Sequence, residues 1–133
     1  MLTFKDFRRI ALGMAGAIES AHMGHPDFRV NGRIFATLHQ DMQTGMVKVT
    51  PDQQAALTRE HPAAFSPEAG AWGRAGSTRV RIDAVDEDTL GEAITLAWQG
   101  AMQKLPPRKS KRKPRPKRAK PARRPKRARA TRR

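Results

Sequence analysis

Residues 28–38 read FRVNGRIFATL, two runs rich in β-branched and aromatic side chains joined by Asn31-Gly32. Asn-Gly is the preferred pair for a two-residue hairpin turn, which needs positive φ at both positions. The stretch therefore predicts two antiparallel strands, and the rest of the chain is read outward from them. Downstream, residues 46–50 make a third strand. Thr50-Pro51-Asp52-Gln53 then combines an N-cap hydroxyl, Pro at the first helical position and Gln at the third, so a helix starts there and should stop near His61-Pro62. After a loop rich in Pro, Gly and Ala, residues 77–83 alternate, with Thr78, Val80 and Ile82 on one face and Arg79 and Arg81 on the other. Asp86 caps a last helix of about 18 residues with a buried stripe of Leu90, Ile94, Ala97, Trp98 and Ala101, ended by Pro106-Pro107. Upstream, Thr3 caps a first helix with Asp6 at the capping-box position and Phe4, Phe7, Ala11 and Met14 along one face; Gly13 and Gly16 end it. The order helix, hairpin, strand, helix, strand, helix specifies an α+β domain around a mainly antiparallel sheet with flanking helices.

Beyond Pro107 the composition changes. Residues 108–133 hold 16 of the 27 Lys and Arg residues and no acid, leaving 11 basic against 12 acidic residues in 1–107. The formal charge of +15 thus belongs to the tail. The cations are Arg108, Lys109, Lys111, Arg112, Lys113, Arg115, Lys117, Arg118, Lys120, Arg123, Arg124, Lys126, Arg127, Arg129, Arg132 and Arg133. With nothing larger than Ala to bury, with like charges repelling and with Pro114, Pro116, Pro121 and Pro125 interrupting any helix, this segment is expected to be disordered. Two units are expected: a folded domain over 1–107 and a cationic tail over 108–133. A polycation binds polyanions by releasing condensed counterions, with no sequence information. Because all seven Phe and Trp residues lie at or before Trp98, the tail has no stacking platforms for single strands, and duplex DNA is the favoured partner, with RNA as the other nucleic acid it suits. No lipidation site or apolar anchor points to a membrane.

The absence of cysteine removes disulfides and thiolate metal sites, and no apolar run approaches a membrane span or a signal-peptide core. A soluble bacterial cytoplasmic protein associated with the nucleoid is expected. Glu19, His22 and His25 recur at three-residue intervals before Asp27, superficially a metal or acid–base set, but Gly24 and Pro26 make this a turn, so neither a metal site nor catalysis is expected, and no cofactor. His25-Pro26 reads as a rigid lead into the hairpin, its imidazole bonded to backbone; His39 and His61 read as solitary loop residues. Ser20 beside His22 is no triad, because nearness in sequence orients nothing. Gly70, Gly73 and Gly76 precede a strand, unlike a dinucleotide-binding loop, and suit a tight irregular loop around Trp72, itself expected to pack on the core. Within the domain, Arg29, Arg33, Lys48, Arg74, Arg79 and Arg81 are candidate nucleic-acid contacts, because strand alternation places several on one sheet face. The alternative is a solvated face whose arginines pair with Asp27, Asp41, Asp83 or Glu68.

Several separated motifs agree with one known family. Residues 24–36 (GHPDFRVNGRIFA), Val47-Lys48-Val49, His61-Pro62, Ala71-Trp72-Gly73-Arg74 and Thr78-Arg79-Val80-Arg81 follow in the order and spacing of the MmcQ/YjbR family, which the chain resembles over about residues 3–104. Ser77 departs from the pattern, standing where members of that family often carry a large aromatic residue. The resemblance implies a CyaY-like or double-wing α+β arrangement and no established activity. The tail lies outside it. Together these readings lead to a non-enzymatic nucleic-acid-binding protein, with sequence-independent phosphate binding by a histone-tail-like polycation. The alternative is a protein- or small-ligand-interaction domain that the tail only localises to nucleic acid.

Overall fold

The computed structural model of the protein describes residues 1–103. The boundary expected at 107/108 and the tail's cations lie outside the described residues. Helix α1 (Phe4–Leu12) starts at Thr3, whose hydroxyl accepts the Lys5 N–H at 3.3 Å while Asp6 Oδ2 accepts the Thr3 N–H at 2.8 Å. Strands β1 (Ile18–His22), β2 (His25–Val30), β3 (Arg33–Leu38) and β4 (Thr44–Lys48) follow. Asn31 and Gly32 take φ of 57° and 76°, as the hairpin turn requires. Helix α2 (Pro51–Glu60) carries its full capping box between Thr50 and Gln53 and ends at His61. Then come β5 (Phe65–Pro67), α3 (Gly70–Arg74), β6 (Ser77–Arg81), a single 3-10 turn (Ile82–Ala84) and α4 (Glu87–Gln103), where Asp86 Oδ1 accepts the Thr89 N–H at 2.7 Å.

The six strands form one antiparallel sheet in the order β1-β2-β3-β4-β6-β5. The α+β class holds, with the helices flanking this sheet. Helix α4 lies chiefly across β3 and β4, and α1 packs against α4. Between them sits a core containing Phe7, Phe28, Phe35, Leu38, Val47, Val80, Leu90 and Ile94, all sealed from solvent; each contributes about 2 kcal/mol by burial. A bulge in β3 sets Phe35 and Ala36 against Phe28, so that both face the core before regular alternation resumes.

Four elements differ from the sequence reading. Strand β1 was expected to be a turn: the turn is instead Met23-Gly24 (φ 51° and 84°), and His25-Pro26 lies inside β2, opposite His22 and Ala21. Strand β5 is a three-residue edge. The segment around Trp72 is a short helix, α3, and Trp72 does not pack on the core: it is 72% exposed. The strand expected to reach residue 83 stops at Arg81 as the chain turns into the 3-10 segment. No helix among the described residues is long and apolar enough to cross a membrane.

Candidate nucleic-acid interface

Residues directly opposite in an antiparallel ladder share a face, and so do residues two apart in one strand. The pairs Ser20–Asp27, Asp27–Thr37, Thr37–Met46 and Met46–Arg79 therefore form one row across five strands, on the face away from Phe28, Val47 and Val80. His22, Arg29, Lys48 and Arg81 lie two residues along from this row and join the same face. Four of the six candidate contacts in the domain, Arg29, Lys48, Arg79 and Arg81, are thus brought together. Arg33 begins β3 beside the hairpin turn, and Arg74 sits exposed at the end of α3; neither belongs to the row.

The arginines on this face are paired with acids. Asp27, fully buried, accepts from Arg29 Nε (2.8 Å, to Oδ1) and Nη2 (3.1 Å, to Oδ2), and its Oδ2 lies 2.6 Å from His22 Nδ1. Burial pushes the Asp27 carboxyl up, but the hydrogen bonds and charges of Arg29 and His22 outweigh it and hold the group below its ordinary 3.8. The same bond pushes Arg29 up. Glu68 is similarly placed, with His39 Nε2 at 3.0 Å from Oε2 and Arg79 Nε at 3.5 Å from Oε1. Arg81 Nη2 lies 3.6 Å from Asp83 Oδ1. Pairing with Asp27, Glu68 and Asp83 is therefore present, but Asp41 takes no arginine: it accepts the Gln43 and Thr44 N–H groups at 2.9 and 3.0 Å and secures the β3–β4 turn. Those bonds, the Gln43 one foremost, hold its carboxyl low. Lys48 is exposed and has no carboxylate partner among the described residues.

The histidines are arranged differently from the expectation. Glu19 lies on the opposite side of β1 from His22 and pairs with Arg8 at 3.1 Å, whereas the His22 and His25 rings meet edge-on with centroids 4.6 Å apart. His25 Nδ1 is buried without a partner among the described residues, and so makes no backbone bond. His39 is no solitary residue, since its Nδ1 lies 2.7 Å from Thr44 Oγ1 while Nε2 reaches Glu68. His61 caps α2 and packs its ring on Phe65. Among the described residues no group of three or more His, Cys, Asp or Glu side chains is arranged to hold a metal ion.

Sequence reasoning offered Asp27 and Glu68 as partners for the arginines but missed that His22 and His39 share them, and it missed Trp72 as an exposed group. Asp27-x-Arg29 was legible as a same-face pair once β2 is recognised. A groove of about 680 Å³ runs from Arg29, Thr37, Met46 and Lys48 past Thr50 and Trp72 to Gly100 and Gln103 at the end of α4.

A family model described as YjbR matches residues 12–100. No match was found among curated proteins. Among solved structures the chain is similar to Deinococcus radiodurans protein DR2400, a crystal structure with the family-model domain DUF419, at a TM-score of 0.65 and 23% identity, covering 78% of this chain and 81% of that one. At that identity the likeness is one of fold.

Proposed function

We propose that this chain, which belongs to the YjbR family, is a non-enzymatic nucleic-acid-binding protein of the bacterial nucleoid whose cationic segment, residues 108–133, neutralises phosphates without regard to sequence. The observation that carries this reading is the segment's 16 cations with no acid. Counterion release from a polyanion is the favourable reaction open to such a composition, and duplex DNA, with its dense phosphates, gives the largest release. Arg29, Lys48, Arg79 and Arg81 support the reading from the domain, adding positive charge on one sheet face. There phosphate competes with carboxylates for the arginines and meets Lys48 unopposed.

The test is a set of salt titrations on duplex DNA with the full chain. If about 8 cations meet phosphate at once, the log–log slope is about −7, with little dependence on base sequence. Replacing Lys109, Lys111, Arg112, Lys113, Arg115 and Lys117 with Gln flattens the slope for all sequences alike. Scrambling residues 108–133 at constant composition leaves affinity nearly unchanged, because charge density carries the binding. A large loss on scrambling would sink the charge-only mechanism.

A further inference from the structure

Trp72 is an aromatic side chain that packing leaves unexplained. It stands 72% exposed on a helix of five residues, and that helix is fastened firmly. A methyl group at Gly73 would sit 1.8 Å from the Glu68 carbonyl oxygen, and one at Gly76 would sit 1.9 Å from that of Val49, so the backbones touch where any side chain would separate them. Buried Gln54 adds hydrogen bonds from Nε2 to the carbonyls of Gly73 and Ser77, both 3.0 Å. The platform is rigid, and its large aromatic ring is held out in water. Such a ring presents a π-face at little conformational cost.

The surroundings specify what meets that face. Trp72 shares its groove with Lys48 and Arg29. These two cations are on strands separated only by β3, about 10 Å apart at the backbone. Arg29 is oriented by Asp27 through Nε and Nη2, a contact in which Nη1 takes no part. Gln103 lines the other end of the groove, and the sequence runs from there through Lys104 into the cationic segment that begins at Arg108. An aromatic face in one groove with Arg29 and Lys48, in a sequence that goes on into a polycation, matches a chain of alternating bases and phosphates. In a duplex both faces of an internal base are already stacked, so a ring can take one only from a single strand.

We propose that this groove seats a segment of single-stranded nucleic acid, with one base stacked on Trp72 and the adjoining phosphates on Lys48 and Arg29. The proposal rests on the nucleic-acid-binding reading and adds form selectivity to it. The cationic segment binds any polyanion, and the groove distinguishes single strands from duplexes.

Anisotropy titrations of the full chain with labelled oligothymidylate, oligouridylate and a duplex of equal length test it. Trp72→Ala is expected to weaken single-strand binding about tenfold, to leave duplex binding unchanged and, because the side chain is exposed, to leave folding intact. Trp72→Phe should keep most of the affinity. Lys48→Gln should lower the single-strand salt slope by about 1. A loss on either oligothymidylate or oligouridylate supports the groove, and a loss on one alone shows that the groove also reads the sugar or the thymine methyl group. Unchanged single-strand affinity in Trp72→Ala, or equal losses on single strand and duplex, overturns the groove while normal duplex binding leaves the function intact. No binding to any form overturns both.

Discussion

Two carboxylates on the polar face of the sheet are each held between an imidazole and a guanidinium, and the two arrangements differ in burial. Asp27 has 0% of its side chain exposed, with its contacts at 2.6 and 2.8 Å; Glu68 has 18% exposed, with contacts at 3.0 and 3.5 Å. The chemistry is the same in both, but water reaches one of them. Where water is excluded, charge interactions strengthen and an unpaired charge becomes very unfavourable; where it enters, it screens the pair and solvates whatever is left alone. Asp27 therefore fixes Arg29 as part of the fold, and Glu68 tethers Arg79, half exposed, loosely enough for a phosphate to replace it.

The largest expected effect breaks this pairing from the cationic side. Arg29→Met leaves the buried Asp27 carboxylate with His22 alone and should cost about 3 kcal/mol of unfolding free energy. Arg79→Met leaves Glu68 beside His39 with partial access to water and should cost less than about 1 kcal/mol. Chemical denaturation of both variants decides the contrast, and equal losses would show that burial does not govern these sites. Removing the buried member is milder: Asp27→Asn leaves two partly solvated cations, so it should destabilise less than Arg29→Met.

A smaller effect appears on acidification. The Asp27 carboxyl in the folded protein titrates below its ordinary 3.8, so its contribution to stability is complete above that value and is lost as pH falls through the lower folded value. Asp6, Asp41 and Asp86 are lowered too, and they steepen the same acid limb. The difference between the native chain and Asp27→Asn isolates the one group. Their stabilities should converge as pH falls below 3.8, measured by denaturant midpoints across that range. A gap independent of pH there would mean that the carboxylate's charge plays no part.

The elements legible in the sequence are those whose signals are local. Asn31-Gly32 set the hairpin, Thr3, Thr50 and Asp86 set three helix starts, and the alternation of Thr78 to Arg81 separated two faces of a strand. Strand β1 escaped because its residues are almost all exposed, so no apolar alternation marks it, and with it went the meeting of His22 and His25 across a turn at Met23-Gly24. Helix α3 escaped because Gly73 within it and Gly76 just after it answer to the backbones of Glu68 and Val49, which are known only from tertiary structure. For the same reason Trp72 was expected inside: an aromatic residue between glycines carries no local sign that its support is rigid and its face free. Arg79 and Arg81 were visible from period two and Glu68 was among the acids expected to pair with such arginines, but its match to Arg79 depends on its place just past β5, an edge strand of three residues that no pattern announces.

Salt separates the two carboxylates by the smallest effect. At about 1 M salt the screening length falls to about 3 Å, comparable to the Glu68 contacts themselves, and ions reach this site because Arg79 is half exposed. The loss on Arg79→Met, already under about 1 kcal/mol, should therefore shrink toward zero between low and high salt. The Asp27 carboxylate is sealed beneath Arg29 and His22, which are themselves only about a third exposed, so ions screen this pair less and most of the loss on Arg29→Met should persist across the same range. Denaturant titrations of both variants at low and high sodium chloride, each against the native chain under matched conditions, give the two differences. Parallel decay of both would mean that solvent reaches Asp27 in solution and that the two sites differ only in distance. Persistence of both would mean that Glu68 is as well sealed as Asp27, leaving Arg79 no freer than Arg29 to exchange its carboxylate for a phosphate.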